Sequence, residues 1–147
     1  MISYEGLFFK KKDLLKYEKK HLPIINDEIH CTFKYRPNED EIFNELVNKS
    51  FKVKLISYGY SKDNSGFEIE LPKSLEKYYI NTDSKGKIVK PHITVSISEN
   101  GEPSNTKKLK FVPLQKKISI TGKFGFWIKK EDTQFVSFKK QNKDSIN

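Results

Sequence analysis

A chain of 147 residues, 35% hydrophobic and 32% charged, suffices for one domain with a modest core beneath a heavily ionised surface. Its single cysteine, Cys31, excludes an internal disulfide framework, and no apolar run approaches the roughly 18 residues a membrane helix needs. The net charge of +9 favours a polyanionic partner, nucleic acid or nucleotide first, though Arg36 is the only arginine and lysine reads bases poorly. With no signal-peptide pattern at Met1, the expected setting is the cytoplasm, with no membrane partner.

Met1 to Lys10 alternates around Ile2, Tyr4, Leu7 and Phe8-Phe9 and reads as a first strand. Lys11 to Lys20 sets Leu14, Leu15 and Tyr17 on a charged background, which predicts a short amphipathic helix that His21-Leu22-Pro23 ends. A strand holding His30 follows and stops at Pro37. Asn38 reads as an N-cap, with acidic Glu39 to Glu41 in the first turn and Ile42, Phe43, Leu46 and Val47 as the buried stripe of a second helix. Phe51, Val53 and Leu55, then Phe67, Ile69 and Leu71, alternate as two strands around a polar turn.

Leu75 to Ile80 suggests a helical turn, and a loop leads to Pro91 and a strand from His92 to Ser98. The segment after it, SENGEPSNTKK, is too polar and turn-rich to be buried. Ile118 to Ile120 and Phe124 to Ile128 predict two closing strands in a hairpin around Thr121-Gly122-Lys123, and Phe135 to Phe138 adds one more. The expectation is α+β, rich in antiparallel strand with two short helices. Residues 1–140 form one domain and 141–147 a flexible tail.

Two stretches carry the chemistry. In IHCTFKYR, residues two apart share a face, so His30, Thr32, Lys34 and Arg36 point one way and Cys31, Phe33 and Tyr35 the other. In PHITVSIS, His92, Thr94, Ser96 and Ser98 oppose Ile93, Val95 and Ile97. If the polar faces meet, two imidazoles and two hydroxyls converge. One neutral imidazole can take a proton while the other, protonated, gives one to a leaving oxygen, each transfer contributing about 10²–10⁴-fold. The threonine hydroxyls can donate to nonbridging phosphate oxygens.

With six threonines in the chain, two of three histidines having Thr two places on by chance has a probability of about 0.005. Lys34, Arg36 and Ser96 are candidate substrate contacts on the same faces, and Tyr60 and Trp127, with Tyr58, are candidate base-stacking rings. His21 reads as a helix-end histidine and Cys31 as a small buried apolar group. No zinc spacing, glycine-rich phosphate loop or Ser-His-Asp order is present, so neither metal nor cofactor is expected.

His30-Cys31-Thr32-Phe33 and His92-Ile93-Thr94-Val95 resemble the paired His-x-Thr motifs of the two-histidine phosphoesterase superfamily, which includes RNA-ligase-like and cyclic phosphodiesterases. The resemblance implies two lobes about a pseudo-twofold axis, each giving one motif strand to a central cleft. It also implies metal-independent hydrolysis of 2′,3′-cyclic phosphates or 2′–5′ diesters, with His30 and His92 as the acid–base pair and Thr32 and Thr94 binding phosphate. The substrate is then a nucleotide or RNA end, or a cyclic oligonucleotide. A phage-type role in destroying cyclic-nucleotide defence signals suits the compact size. The competing reading is a non-catalytic RNA- or nucleotide-binding module using the basic surface.

Overall fold

The alternating stretches become strands, and the strands pair into one sheet. The computed structural model describes residues 1–19, 22–26 and 28–142, so His21 and tail residues 143–147 lie outside the described residues. In chain order the strands are β1 (Ile2–Phe9), β2 (Ile24–Ile25), β3 (Ile29–Tyr35), β4 (Ser50–Tyr60), β5 (Asn64–Glu70), β6 (His92–Ile97), β7 (Val112–Lys130) and β8 (Thr133–Ser137). They pair in the order β2-β6-β5-β4-β7-β1-β3, and β8 joins β7. Each pairing is antiparallel. Helix is scarce: α1 (Lys11–Leu15), α2 (Lys73–Glu76) and three short 3₁₀ segments among the described residues. The fold is α+β, dominated by antiparallel sheet. No helix among the described residues is long and apolar enough to cross a membrane.

The helix expected after Asn38 is not an α-helix. It is two 3₁₀ turns, Glu39–Glu41 and Asn44–Leu46, separated by an extended Ile42 (φ −87°, ψ 110°). Glu41 does reach back to the Asn38 N–H, and Ile42 and Leu46 are buried as the stripe required. The regular ladder fails because Phe43 gives its N–H to the Glu5 carboxyl oxygen at 3.2 Å instead of to a carbonyl one turn back. The side chain of Asn44 is meanwhile spent on the Gln141 backbone, accepting its N–H and donating to its carbonyl. That pair ties down the start of the segment expected as a flexible tail.

The hairpin expected at Thr121-Gly122-Lys123 is absent too. β7 runs unbroken through it for 19 residues. Lys123 pairs with Ser50 on one side and Phe8 on the other, so this stretch is where β7 passes from β4 to β1. Gly122 is needed for close approach, not for a turn: a Cβ there would stand 2.6 Å from the Phe9 ring.

Glu5 is fully buried on β1, and its Oε2 has no partner among the described residues. Burial pushes its carboxyl up to about 8, so it is neutral at pH 7. The folded state holds this proton from the ordinary carboxyl range near 4.5 up to about 8 while the unfolded chain has lost it. Stability therefore falls as pH rises through that window and levels off above it. Glu5→Gln keeps the Phe43 acceptor without the titration. Thermal melts should show the wild type losing a few kcal/mol between pH 5 and 8.5 and the variant losing clearly less.

The core lies on the sheet face opposite the motif histidines. Phe33, Phe67, Phe124, Phe126, Ile93 and Val95 are fully buried, each such side chain contributing about 1.5–3 kcal/mol. Phe33 meets Phe124 and Tyr79 edge-on. The sheet curls far enough that β3 and β6, five strands apart in the pairing order, touch. The Cys31 thiol receives the backbone N–H of His92, and burial raises it to about 12, so it packs as a small apolar group.

Candidate active site

The two motif strands are built alike. His30 pairs across the sheet with Phe8, and Thr32 with Gly6. His92 pairs with Glu68, and Thr94 with Gly66. Immediately after each motif threonine the register slips by one: Glu5 and Gly6 face Lys34 and Thr32, leaving Phe33 over, and Ser65 and Gly66 face Ser96 and Thr94, leaving Val95 over. Each slip is a β-bulge, and a bulge reverses which face the following residues occupy.

Curling brings both strands to one cavity of about 100 Å³. His30, Thr32, His92 and Thr94 all line it, together with Tyr35 from the end of β3, Asn81 and Thr82 from the loop before β6, and Lys107 from the 3₁₀ segment Pro103–Lys108. The four residues expected to act together are thus brought together. The polar segment expected to stay at the surface forms one wall, with Thr106 fully buried beneath it.

The histidines are oriented by the same device. His30 Nδ1 lies 2.7 Å from the Glu28 carbonyl, and His92 Nδ1 lies 2.9 Å from the Lys90 carbonyl. A carbonyl only accepts, so each ring carries its proton on Nδ1 and leaves Nε2 as the nitrogen that can exchange one. Tyr4 stacks on His30 with centroids 4.4 Å apart, and its hydroxyl sits 3.2 Å from the same Nδ1. Burial pulls the His30 pKa down to about 4, with His92 adding a smaller push the same way. His92 is also lowered, first by burial and then by Lys107, while the Lys90 carbonyl and Glu68 work in the opposite direction.

The hydroxyls differ. The Thr32 hydroxyl has no hydrogen-bond partner among the described residues. Thr94 donates to Thr106 Oγ1 at 2.7 Å and lies 3.2 Å from the Pro103 carbonyl, and Asn64 holds Thr106 in turn. Rotating the Thr106 hydroxyl so that it donates to Thr94 would free the Thr94 proton without breaking the contact.

The remaining expected contacts are not at the cavity. Lys34 faces Glu41 at 3.8 Å. Arg36 is exposed at a left-handed turn (φ 46°) just beyond β3. Ser96 is fully buried, accepting the Leu22 N–H at 3.2 Å and sharing a 2.6 Å contact with Ser65, which donates to Glu18. Tyr60 is exposed at the end of β4, beside Tyr58. Trp127 is one ring removed: it stacks on Tyr4 at 6.0 Å, which stacks on His30, and its indole N–H donates to Gln134.

Lys107, Tyr35, Asn81 and Thr82 are contributors that were not singled out from the sequence. The lysine could have been found only by knowing that its loop folds against β6, and Tyr35 only by knowing of the bulge. Among the described residues no group of three or more His, Cys, Asp or Glu side chains is placed to hold a metal ion. No protein-family model matches the chain, and no curated protein matches it.

Proposed function

We propose that the chain is a cytoplasmic, metal-independent phosphodiesterase of the two-histidine phosphoesterase type. Its substrate is a nucleotide or RNA-end diester: a 2′,3′-cyclic phosphate, a 2′–5′ linkage or a cyclic oligonucleotide. The observation that carries the reading is one local geometry occurring twice at one cavity. In each copy an Nδ1–H is held by the carbonyl two residues back, a threonine follows two residues on, a glycine faces that threonine, and a bulge comes next. On this reading β3, β1, the far half of β7 and β8 form one lobe. β6, β5, β4 and the near half of β7 form the other, about a pseudo-twofold axis with the cavity as the central cleft.

His30, held neutral by its surroundings, is the base: Nε2 takes the proton of a water or ribose hydroxyl as that oxygen attacks phosphorus. His92 is the acid, giving its proton to the leaving oxygen as the old P–O bond breaks. Glu68 favours the charged ring, and the substrate's own anion adds to that effect. Thr32, Thr94 and Lys107 face the charge gathering on the nonbridging oxygens. Afterwards His30 is protonated and His92 neutral, and exchange with water resets both.

The sign of the pH dependence follows. Below about 4, His30 is protonated and no base remains. Above the lowered pKa of His92, the acid has lost its proton. Both limbs lie below the ordinary imidazole value of 6.5, so kcat/KM should peak on the acid side of 6.5 and decline by pH 8. The test is a screen of 2′,3′-cyclic mononucleotides, 2′–5′ oligoadenylates and cyclic di- and trinucleotides, with products separated by chromatography, with and without EDTA. Turnover surviving the chelator with that pH profile supports the reading. Loss in EDTA with recovery on adding metal, or a rate climbing to a plateau above pH 8, overturns it.

A further inference from the structure

Beside His30, away from the cavity it shares with His92, lies a second and larger opening of about 610 Å³. Phe8 and Phe138 form part of its wall, and Asp13, Glu28, Lys10 and Lys123 line it as well. Two of these residues also touch the histidine. Phe8 pairs with His30 across the sheet, its ring centroid 5.8 Å away, and the Glu28 carbonyl holds Nδ1. Lys123 pairs with Phe8 on the next strand, so the row His30, Phe8, Lys123 leads from the catalytic ring into the groove. Two strand spacings make that about 10 Å, within the reach of a single nucleotide.

The lining is chemically particular. Phe138 comes from the segment after β8 and folds back over the sheet, meeting Phe8 edge-on at 6.0 Å with the Lys123 ammonium 5.1 Å from its ring. It fits there because β7 has Gly125 beneath it, where a Cβ would stand 2.7 Å from the ring. A flat aromatic face suits a base. The carboxylates are acceptors only, so they suit a ligand edge carrying N–H donors, while Lys10 and Lys123 balance their charge. Guanine carries two such donors side by side, N1–H and N2–H, which one carboxylate can take together. Adenine and uracil present a single donor group there.

We propose that this groove is a nucleobase subsite for guanine, holding the base of the nucleotide whose phosphate sits between the histidines. The assignment rests on the phosphodiesterase reading of the cavity and names the substrate side that reading leaves open. Asp13 is the specificity group, and the Phe138 ring is the stacking wall, with Phe8 packed edge-on behind it.

Three measurements test it: kinetics on 2′,3′-cyclic GMP and 2′,3′-cyclic AMP, kinetics on the base-free diester bis(p-nitrophenyl) phosphate, and calorimetric binding of 5′-GMP and 5′-AMP to His92→Ala protein. The wild type should favour the guanine substrate. Phe138→Ala should raise KM for cyclic GMP by about 5- to 150-fold, the span of base–aromatic stacking, and by at least fivefold more than it affects the base-free diester. Asp13→Asn, a near-isosteric change at a half-buried helix position, should erase the guanine preference, and both changes should weaken GMP binding in the His92→Ala background. Equal losses on nucleotide and base-free diesters, or GMP affinity indifferent to both substitutions, overturn the subsite. If no diester is hydrolysed while GMP binding still depends on Asp13 and Phe138, the hydrolase reading falls and the groove stands.

Discussion

Replacing either His30 or His92 by alanine should lower turnover by about 10²–10⁴-fold, the contribution of one positioned proton transfer. The double variant should be no worse than about tenfold below the poorer single one, because a base without its acid partner has little left to lose. Both rings line one cavity, so neither can stand in for the other's position. Their structural costs differ in a way that separates chemistry from folding. His30 is packed against Tyr4 and Phe8, and its removal leaves a gap in that stack. His92 has no ring partner among the described residues, so His92→Ala should melt close to wild type.

His30 adds a check of its own. Its folded pKa near 4 lies below the ordinary 6.5, so the unfolded chain takes up a proton that the folded one refuses, and stability declines as pH falls from 6.5 to about 4. His30→Ala should show a shallower decline over that window. Turnover by either variant within tenfold of wild type would remove both from the chemistry. Substrate affinity that falls steeply with salt yet ignores both substitutions would favour the binding-module reading.

The four motif residues at the cavity were legible because a strand's period is two and His-x-Thr fits inside one period. Alternation failed one residue later in both strands. The bulges at Phe33 and Val95 shift the face, so Lys34, Arg36 and Ser96 leave the cavity side and Tyr35, assigned to the core side, joins it. A bulge is decided by pairing with β1 or β5, which no pattern within β3 or β6 records. The missing helix after Asn38 has the same kind of cause. Cap and stripe are both present, but a buried carboxyl group from a distant strand takes the N–H that the helix needs. Gly122 looked like a turn because glycine's two uses, freedom and smallness, are written with one letter; here smallness next to Phe9 decides. The loop residues Asn81, Thr82, Pro103 and Ser104 wall the cavity, while Lys62 and Asp63 lie at another opening.

Alanine at Gly6 or at Gly66 should be as damaging as loss of a motif histidine, by a different route. A Cβ at position 6 would fall inside the van der Waals shell of the Cys31 carbonyl oxygen, and one at position 66 inside that of the Ile93 carbonyl oxygen, with Thr106 Cγ2 a further 2.6 Å contact. Cys31 and Ile93 are the residues between histidine and threonine in the two motifs. Neither carbonyl can swing aside as a side chain could, so relief requires the motif strand itself to move. Overpacking usually costs about 1–3 kcal/mol, and a backbone obstacle puts these changes at or above the top of that range. The surviving folded fraction should also be impaired, because a shift of about 1 Å in a positioned group can cost 10²-fold. Gly86→Ala is the control: its φ of +79° makes alanine strained, but nothing lies within 4 Å, so stability should fall by about 1 kcal/mol and kcat hold. Denaturant melts and kcat measured on the folded fraction decide the matter. If Gly6→Ala and Gly66→Ala match wild type in both, the bulges do not set the motif strands in place. If only one is damaging, the two halves of the site are not built on the same plan.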